Sequence, residues 1–422
     1  MEQTKILFIP TCNAGVSYWR MWNFANGIHR NGYGATDILW YDKKQVDLAP
    51  WEIELQAAYD ADSYVPQYKI TNEMWQRLRQ ADAVVFGMVH TQSAIDLIES
   101  VLDIRRAGHL RYVPVLMEMD DNILSVPTQN PAYAAYAPGS EIRRITERQM
   151  RISDGIIVST PYLRDVFRDY NENVYVVPNS VDFKMWGKLK NKPKPGIRIG
   201  WSGGSAHAED LATIEEVIPR ILDAHKDAKF VFVHGIAPFM FDLEKKYPGR
   251  VELHKEWTFI DKYPAKIASL DFDITMAPLI DSAFNRGKSN LRWLEAAALG
   301  IPCVASNVGH FAETIENNVD GLLCDSEDDW FKNLSRLITD KRLRQGIGMR
   351  ARATAEYAFN IDKTSQTYVD SVIACGNSVA DRAVIAAQKA LEVRESENEH
   401  DQSAVADSCL ADGGGPAAEP VF

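Results

Sequence analysis

Residues Phe284–Gly309 read FNRGKSNLRWLEAAALGIPCVASNVG, and three kinds of local chemistry follow one another in them. Asn285-Arg286-Gly287-Lys288-Ser289 is a turn with two cations and a glycine that lets the backbone approach a ligand. A helix starts at Ser289 or Asn290 as N-cap, and a helix N-terminus flanked by Arg286 and Lys288 is an anion site. Leu291, Leu294 and Ala298 supply the apolar face, Gly300 and Pro302 stop the helix, and Cys303-Val304-Ala305 reads as a short buried strand. Glu295 lies inside the helix, within about two turns, roughly 10 Å, of the cations. Taken alone, Lys288 and Arg292 also read as solvated charges, with Glu295 paired to one of them at i, i+3.

Upstream, Ile197–Trp201 is a strand that feeds Ser202-Gly203-Gly204-Ser205 and a helix from Ala208 to Lys226. Strands at Phe230–His234, Val251–His254 and Ile274–Ala277 continue the strand-helix alternation without a hairpin signal, so the sheet is expected to be parallel. Trp330–Thr339 and Asp340–Ala358 read as helices, as do the amphipathic segment Lys363–Ala374 and Ser378–Arg394. From Glu395 onward the chain is acidic, poor in aromatics and interrupted by Gly413-Gly414-Gly415-Pro416, the composition of a disordered tail.

The first half opens in the same way. Lys5–Pro10 is a buried strand running into the small-residue loop Thr11–Gly15 and an aromatic-rich helix that ends at Asn31-Gly32. A strand at Asp37–Tyr41 follows, and residues 42–70, with Trp51 and Tyr59, read as irregular. Asn72–Gln80 and Ser93–Ala107 read as helices around the apolar strand Ala83–His90. Val113–Met119 delivers Asp120-Asp121-Asn122 at its C-terminal end, where open parallel sheets bind ligands. An Arg-rich helix, Ser140–Ser153, and strands at Gly155–Pro161 and Val174–Pro178 complete this half. The basic, Pro-punctuated run Lys184–Pro195 reads as a linker. The expected organisation is a first domain over 1–183, a linker over 184–196, a second domain over 197–360, C-terminal helices over 361–394 and a tail over 395–422.

Composition narrows the function. The chain has 422 residues, 46% hydrophobic and 25% charged, as in a soluble two-domain protein. No run approaches 18 unbroken apolar residues and MEQTKILFIP is not a signal peptide, so a cytoplasmic location, in a bacterium or a phage-infected host, is expected. Five scattered cysteines, without CxxC or CxxxH spacing, indicate neither a zinc site nor a disulfide framework. Of the formal charge of -12, the segment from Gly376 onward holds -6, nine acidic residues against three basic. A local basic groove thus remains compatible with the acidic total. A dehydrogenase would need a fuller dinucleotide fingerprint and a hydrolase a nucleophile elbow, and neither is present.

Six pieces together carry a resemblance: Gly15 after the first strand, Asp120-Asp121, STPYL (159–163) with VPNSVD (177–182), IGWSGGSAHAEDL (199–211), DFDITMAPL (271–279) and the 284–309 stretch. Over roughly Lys5–Ala374 the chain resembles the group 1, glycogen-synthase-like, retaining glycosyltransferases, in a branch that includes bacterial and bacteriophage enzymes. The resemblance implies a GT-B fold: α/β, two facing Rossmann-like domains with parallel sheets, the acceptor in the first domain, the donor in the second, and a C-terminal helix that crosses back. It implies a nucleotide-sugar co-substrate, UDP-glucose-like, with no other cofactor and no metal, and transfer with retention. Lys288 falls where the family meets the donor diphosphate and Glu295 where it meets the ribose hydroxyls. The family's other Glu, eight residues earlier, is Gly287 here.

Around these, Ser202, Ser289 and Asn290 are also expected to bind the donor, and Gly203-Gly204, which alone read equally as a plain tight turn, form with Arg286 and Lys288 the expected diphosphate clamp, with Gly15 in the matching part from the first domain. His207 reads as a donor-facing or a capping residue. Asp120 is expected to orient the acceptor hydroxyl or take its proton; Asp121 and Asn122 read as caps of the following turn. His90 either lines the cleft or is a satisfied core histidine. The acceptor is a glycan or, in one phage-like reading, a hydroxymethylated base in DNA, for which Arg105–Arg111 and Arg143–Arg151 would supply a cationic rim. Those arginines equally read as partners of surface carboxylates. A nucleotide-sugar epimerase and an inactive sugar-nucleotide binding module are the alternatives of another class.

Overall fold

A computed structural model describes residues 3–10, 15–38, 72–106, 113–189, 193–256, 258, 262–382, 384, 385 and 388. The loop read at 11–14, the end of the second strand, the segment at 42–70, residues 107–112, linker residues 190–192 and the tail at 395–422 lie outside them.

Two six-stranded sheets carry the chain. The first contains β1 (Lys5–Ile9), β2 (Ala35–Ile38), β3 (Ala83–Phe86), β4 (Val115–Met119), β5 (Gly155–Val158) and β6 (Val174–Val176), in the order β2-β1-β3-β4-β5-β6. The second contains β7 (Ile197–Gly203), β8 (Ala228–His234), β9 (Val251–His254), β10 (Ile274–Ala277), β11 (Cys303–Ser306) and β12 (Leu322–Cys324), in the order β12-β11-β10-β7-β8-β9. Every pairing is parallel, as continuous apolar strands covered on both faces require. In each sheet the order reverses beside the first strand, between β1 and β3 and between β7 and β10. The crevice at such a point opens beyond the C-terminal strand ends, and His90, Asp120, His207 and the segment after Ala277 all follow those ends.

The C-terminal helix does cross back. Residues 361–382 are helical, and Ile361, Tyr368, Val369, Val372 and Cys375 join Ile6, Phe8, Phe24 and Ile28 in one buried cluster on the first sheet. One continuous helix thus replaces the two segments read from sequence. Conversely, the helix expected over 208–226 is two, Ala208–Ala212 and Val217–Ala224. The Thr213 hydroxyl donates to the Asp210 carbonyl at 2.6 Å, a local bond that competes with the helical ladder. β3 stops at Phe86, which leaves His90 in a loop. β12 and the helices Pro238–Lys246, Tyr263–Ser269 and Gly309–Thr314 were absent from the sequence reading.

Candidate functional site

Two adjoining cavities occupy the crevice between the sheets. The first, of about 190 Å³, is lined by Asp120, Asp121 and Asn179 from the first domain and by His207, Lys288, Ser289 and Arg292 from the second. The other, of about 240 Å³, lies on the first-domain side and shares Val16, Asp120 and Asp121 with it.

The 284–309 stretch folds differently at its start from the open turn expected. The Ser282 hydroxyl accepts from the Asn285 N–H at 3.1 Å and caps a helical turn, Ala283–Arg286. Arg286 leaves that turn toward solvent, where Nε and Nη2 donate to Asp281 at 2.6 and 2.8 Å. It lines neither cavity, so the clamp expected to include it is not assembled. Asn290 is the N-cap of Leu291–Ala298, but its side chain makes no cap bond. It is fully buried and donates to the Thr314 hydroxyl at 3.3 Å, a brace and not a donor-facing group. Gly300, at φ 72°, ends the helix as expected.

Lys288 and Ser289 do face the cleft. Lys288 Nζ donates to Asp121 Oδ1 at 2.7 Å, and Asn179 Nδ2 donates to Ser289 Oγ at 2.8 Å. Asn122 Nδ2 reaches the Ala283 carbonyl at 3.0 Å. Asp121 and Asn122 therefore bridge the domains and do not cap their own turn. Gly287 sits at the tightest point of the bridge. A Cβ there would lie 2.9 Å from Leu163 Cδ2 and 3.1 Å from Asn122 Cβ, which accounts physically for the absence of the family's Glu.

Inside the second domain, Tyr263 Oη donates to Glu295 Oε2 at 3.1 Å and lies 3.0 Å from Ser202 Oγ. Burial pushes the Glu295 carboxyl up to about 7, against the pull of Arg292 and Tyr263. Ser202 is thus a partner within the fold, beside a small buried void that Glu295 also lines. Arg292, which lines that void and the cleft, lies over the Trp201 ring at 5.4 Å. A Cβ at Gly203 would meet Arg292 Nη2 at 2.5 Å, so the glycine makes room for the guanidinium. Gly204 itself would admit a Cβ, and it is Gly235 that must lack one, because a Cβ there would lie 2.4 Å from the Gly204 carbonyl.

His207 is oriented by Asp210, with Nδ1 2.8 Å from Oδ2. Asp210 also accepts from the Ile280 N–H at 2.9 Å and from Asn285 Nδ2 at 2.7 Å, so it ties the glycine turn to the signature turn. Burial lowers the His207 pKa, more than Asp210 raises it, and the ring is neutral at pH 7. Sequence reading gave Asp210, Asn179 and Tyr263 no site role and weighed Arg292 as a solvated charge. Asp210 and Asn179 stand in motifs that carry the resemblance, and Asp210 also stands three residues after His207 on a helix.

On the first-domain side, Asp120 is pushed up to about 6 by burial and then by the charge of Asp121. His90 shares a 2.9 Å hydrogen bond with Tyr136, and burial lowers its pKa. Behind them Arg20, in a π-helical turn over Tyr18–Trp22, pairs with Glu118 at 2.7 Å, and Tyr368 donates to the same carboxylate at 2.8 Å. Gly15 and Val16 begin the helical run that carries Arg20. Among the described residues no group of three or more His, Cys, Asp and Glu side chains is gathered for a metal ion, and no helix is long and apolar enough to cross a membrane. Three arginines of the expected cationic rim are engaged, Arg143 with Glu147 at 2.8 Å, Arg148 with Glu99 at 2.8 Å, and Arg151 over the Tyr170 ring at 4.5 Å, whereas the side chains of Arg105–Arg111 lie outside those described.

Residues 197–340 match the family described as Glycosyl transferases group 1. A D-inositol 3-phosphate glycosyltransferase of Salinispora arenicola is 34% identical over 110 residues, which is 25% of this chain and 23% of that protein. The match thus spans about a quarter of the curated relative. Among solved structures, HepE of Anabaena in complex with UDP-glucose superposes with a TM-score of 0.58 at 14% identity, over 88% of this chain and 99% of that one. The sucrose-phosphate synthase of Thermosynechococcus elongatus gives 0.56 at 16%, over 91% and 100%. The chain therefore has the GT-B fold of these structures, and its residues 197–340 are similar to the group 1 glycosyltransferases.

Proposed function

We propose that the protein transfers a hexose from a UDP-sugar, of the UDP-glucose type, to an acceptor hydroxyl with retention of anomeric configuration. The observation that carries this reading is the facing of Lys288, Arg292 and neutral His207 across one cavity from Asp120. Two fixed cations and a neutral imidazole suit a diphosphate leaving group, and a carboxylate opposite them suits an acceptor hydroxyl. In the step, the bond from the anomeric carbon to the phosphate oxygen breaks and one to the acceptor oxygen forms on the same face. The hydroxyl proton leaves to Asp120 or to a diphosphate oxygen, and UDP departs. Lys288 changes partner from Asp121 to the diphosphate as the donor enters, and Glu295 holds the ribose hydroxyls. HepE in complex with UDP-glucose favours that donor. The engagement of Arg143, Arg148 and Arg151 with their neighbours favours a glycan or small molecule over DNA as acceptor.

Incubation with UDP-[14C]glucose and candidate acceptors, followed by product analysis, tests the reading. Acceptor-dependent release of UDP and an α-linked product are expected. Interconversion of the donor without acceptor would mean an epimerase, UDP binding without turnover a binding module, and a β-linked product would remove retention.

A further inference from the structure

Arg20 is wholly buried, yet its five N–H groups are unevenly used. Nε donates to Glu118 at 2.7 Å, and Nη1 to the Val177 carbonyl at 2.8 Å and to Asn179 Oδ1 at 3.0 Å. Nη2 has no partner, which a buried cationic donor does not tolerate without cost. Arg20 and Glu118 both line the 240 Å³ cavity. Most of the remaining wall is apolar, with Met21, Met88, Met119, Ile123 and Phe284, and Asp120 stands where this cavity meets the donor side.

We propose that this cavity binds the acceptor as an uncharged, single-ring, hydroxyl-bearing compound, and that Arg20 Nη2 donates to one of its oxygens while a second hydroxyl meets Asp120. The proposal rests on the glycosyltransferase reading and adds the acceptor's class and the residue that selects it. Size limits the ligand to about one ring, because drug-sized sites run to about 300–1,000 Å³. Charge excludes an anion. Arg20 is already balanced by Glu118, and Lys288 by Asp121, whereas Asp120 has no ion-pair partner among the described residues. A phosphate on the ring would therefore meet an uncompensated carboxylate. The methionines adapt to the C–H face of a ring, and the spare N–H groups of Arg20 fix its rotation. A ring lacking the matching oxygen leaves those donors unpaired, which is how a buried polar group discriminates most strongly.

The test measures acceptor kinetics with UDP-glucose on matched pairs, such as myo-inositol and its monophosphate. The neutral member is expected to show kcat/KM higher by about tenfold or more, as one lost charged hydrogen bond would give; equal or greater activity on the phosphate overturns the proposal. Arg20→Lys keeps a cation beside Glu118 but withdraws the Nη2 donors, and should raise the acceptor KM by about tenfold with a smaller change in kcat. An unchanged KM overturns it. Since replacing Arg20 also strains the fold, Ala132→Trp, at a half-buried wall position, fills the cavity independently. It should raise the acceptor KM while the Kd for UDP stays the same, and an unaffected KM overturns the proposal. A chain that binds no UDP and releases none with any acceptor fails the underlying glycosyltransferase reading instead, and the two failures are thereby told apart.

Discussion

Lys288 Nζ lies 2.7 Å from Asp121 Oδ1, so on the proposed function a donor diphosphate would exchange one anion for another and would not fill an empty cation site. A diphosphate offers more charge and more acceptor oxygens than one carboxylate, and the exchange favours it. Lys288→Ala should weaken UDP binding by about 1.5–3 kcal/mol, the cost of a charged hydrogen bond, measured by calorimetry; unaltered affinity would remove Lys288 from the donor site. Glu295 adds a pH dependence of definite sign. Its pKa is raised to about 7, by burial first, so it is neutral below pH 7 and gains charge above. If it accepts from ribose hydroxyls, UDP affinity rises between pH 6 and pH 8, and Glu295→Gln flattens that rise. Stability runs the other way: a carboxyl with a raised folded pKa contributes stability at low pH that is lost as pH rises through 7. The place of Lys288, His207 and Asp120 at the cleft was legible in the sequence because strand ends and a motif set it, whereas Glu295, on the same motif, lies beside the small void against Tyr263. Arg286 and Asn290 were not legible, because the Ser282 cap and the Thr314 contact aim their side chains, and both partners are set by folding.

At the scale of elements, the signature turn is a bridge as much as a binding loop. Its residues 283–289 meet Asn122, Asp121 and Asn179 of the first domain through three hydrogen bonds, and Gly287 is packed at their centre. Restoring the family's carboxylate by Gly287→Glu should not recover an ancestral contact. It should force the domains apart, lowering Tm by several degrees for the about 1–3 kcal/mol that overpacking costs, with transfer reduced more than tenfold. A variant with wild-type Tm and raised activity would refute this account of the glycine. Most strands were legible, since a continuous apolar run between turn signals has few other readings. The misses were short elements. β12 has three residues and Gly309–Thr314 six, too few to show a period, and the break at Thr213 turns on one side-chain bond.

For the whole molecule, a buried chain of contacts runs from the C-terminal helix to the donor domain: Tyr368 to Glu118, Glu118 to Arg20, Arg20 to Asn179, and Asn179 to Ser289. The two-domain architecture was readable from the two strand-glycine-helix openings, and the return of the last helix followed from the resemblance. The buried chain was unreadable, because its members come from five distant segments and only the closed fold brings them together. Tyr368 lies at its start, fully buried against Phe8 and Phe24 with ring centroids 5.5 and 4.9 Å away. Tyr368→Ala removes an aromatic side chain from the core, which costs about 3–5 kcal/mol, and takes from Glu118 its second partner. Urea unfolding should register that loss, whereas Tyr357→Ala, at a position 79% exposed on the neighbouring helix Lys341–Ala358, should change stability by no more than about 0.5 kcal/mol. Because the crossover helix completes the first domain's core after the second domain's chain has been threaded, both domains should melt together in the wild type. A calorimetric scan with two separated transitions, of which Tyr368→Ala moves only one, would show that the helix stabilises the first domain without coupling it to the second.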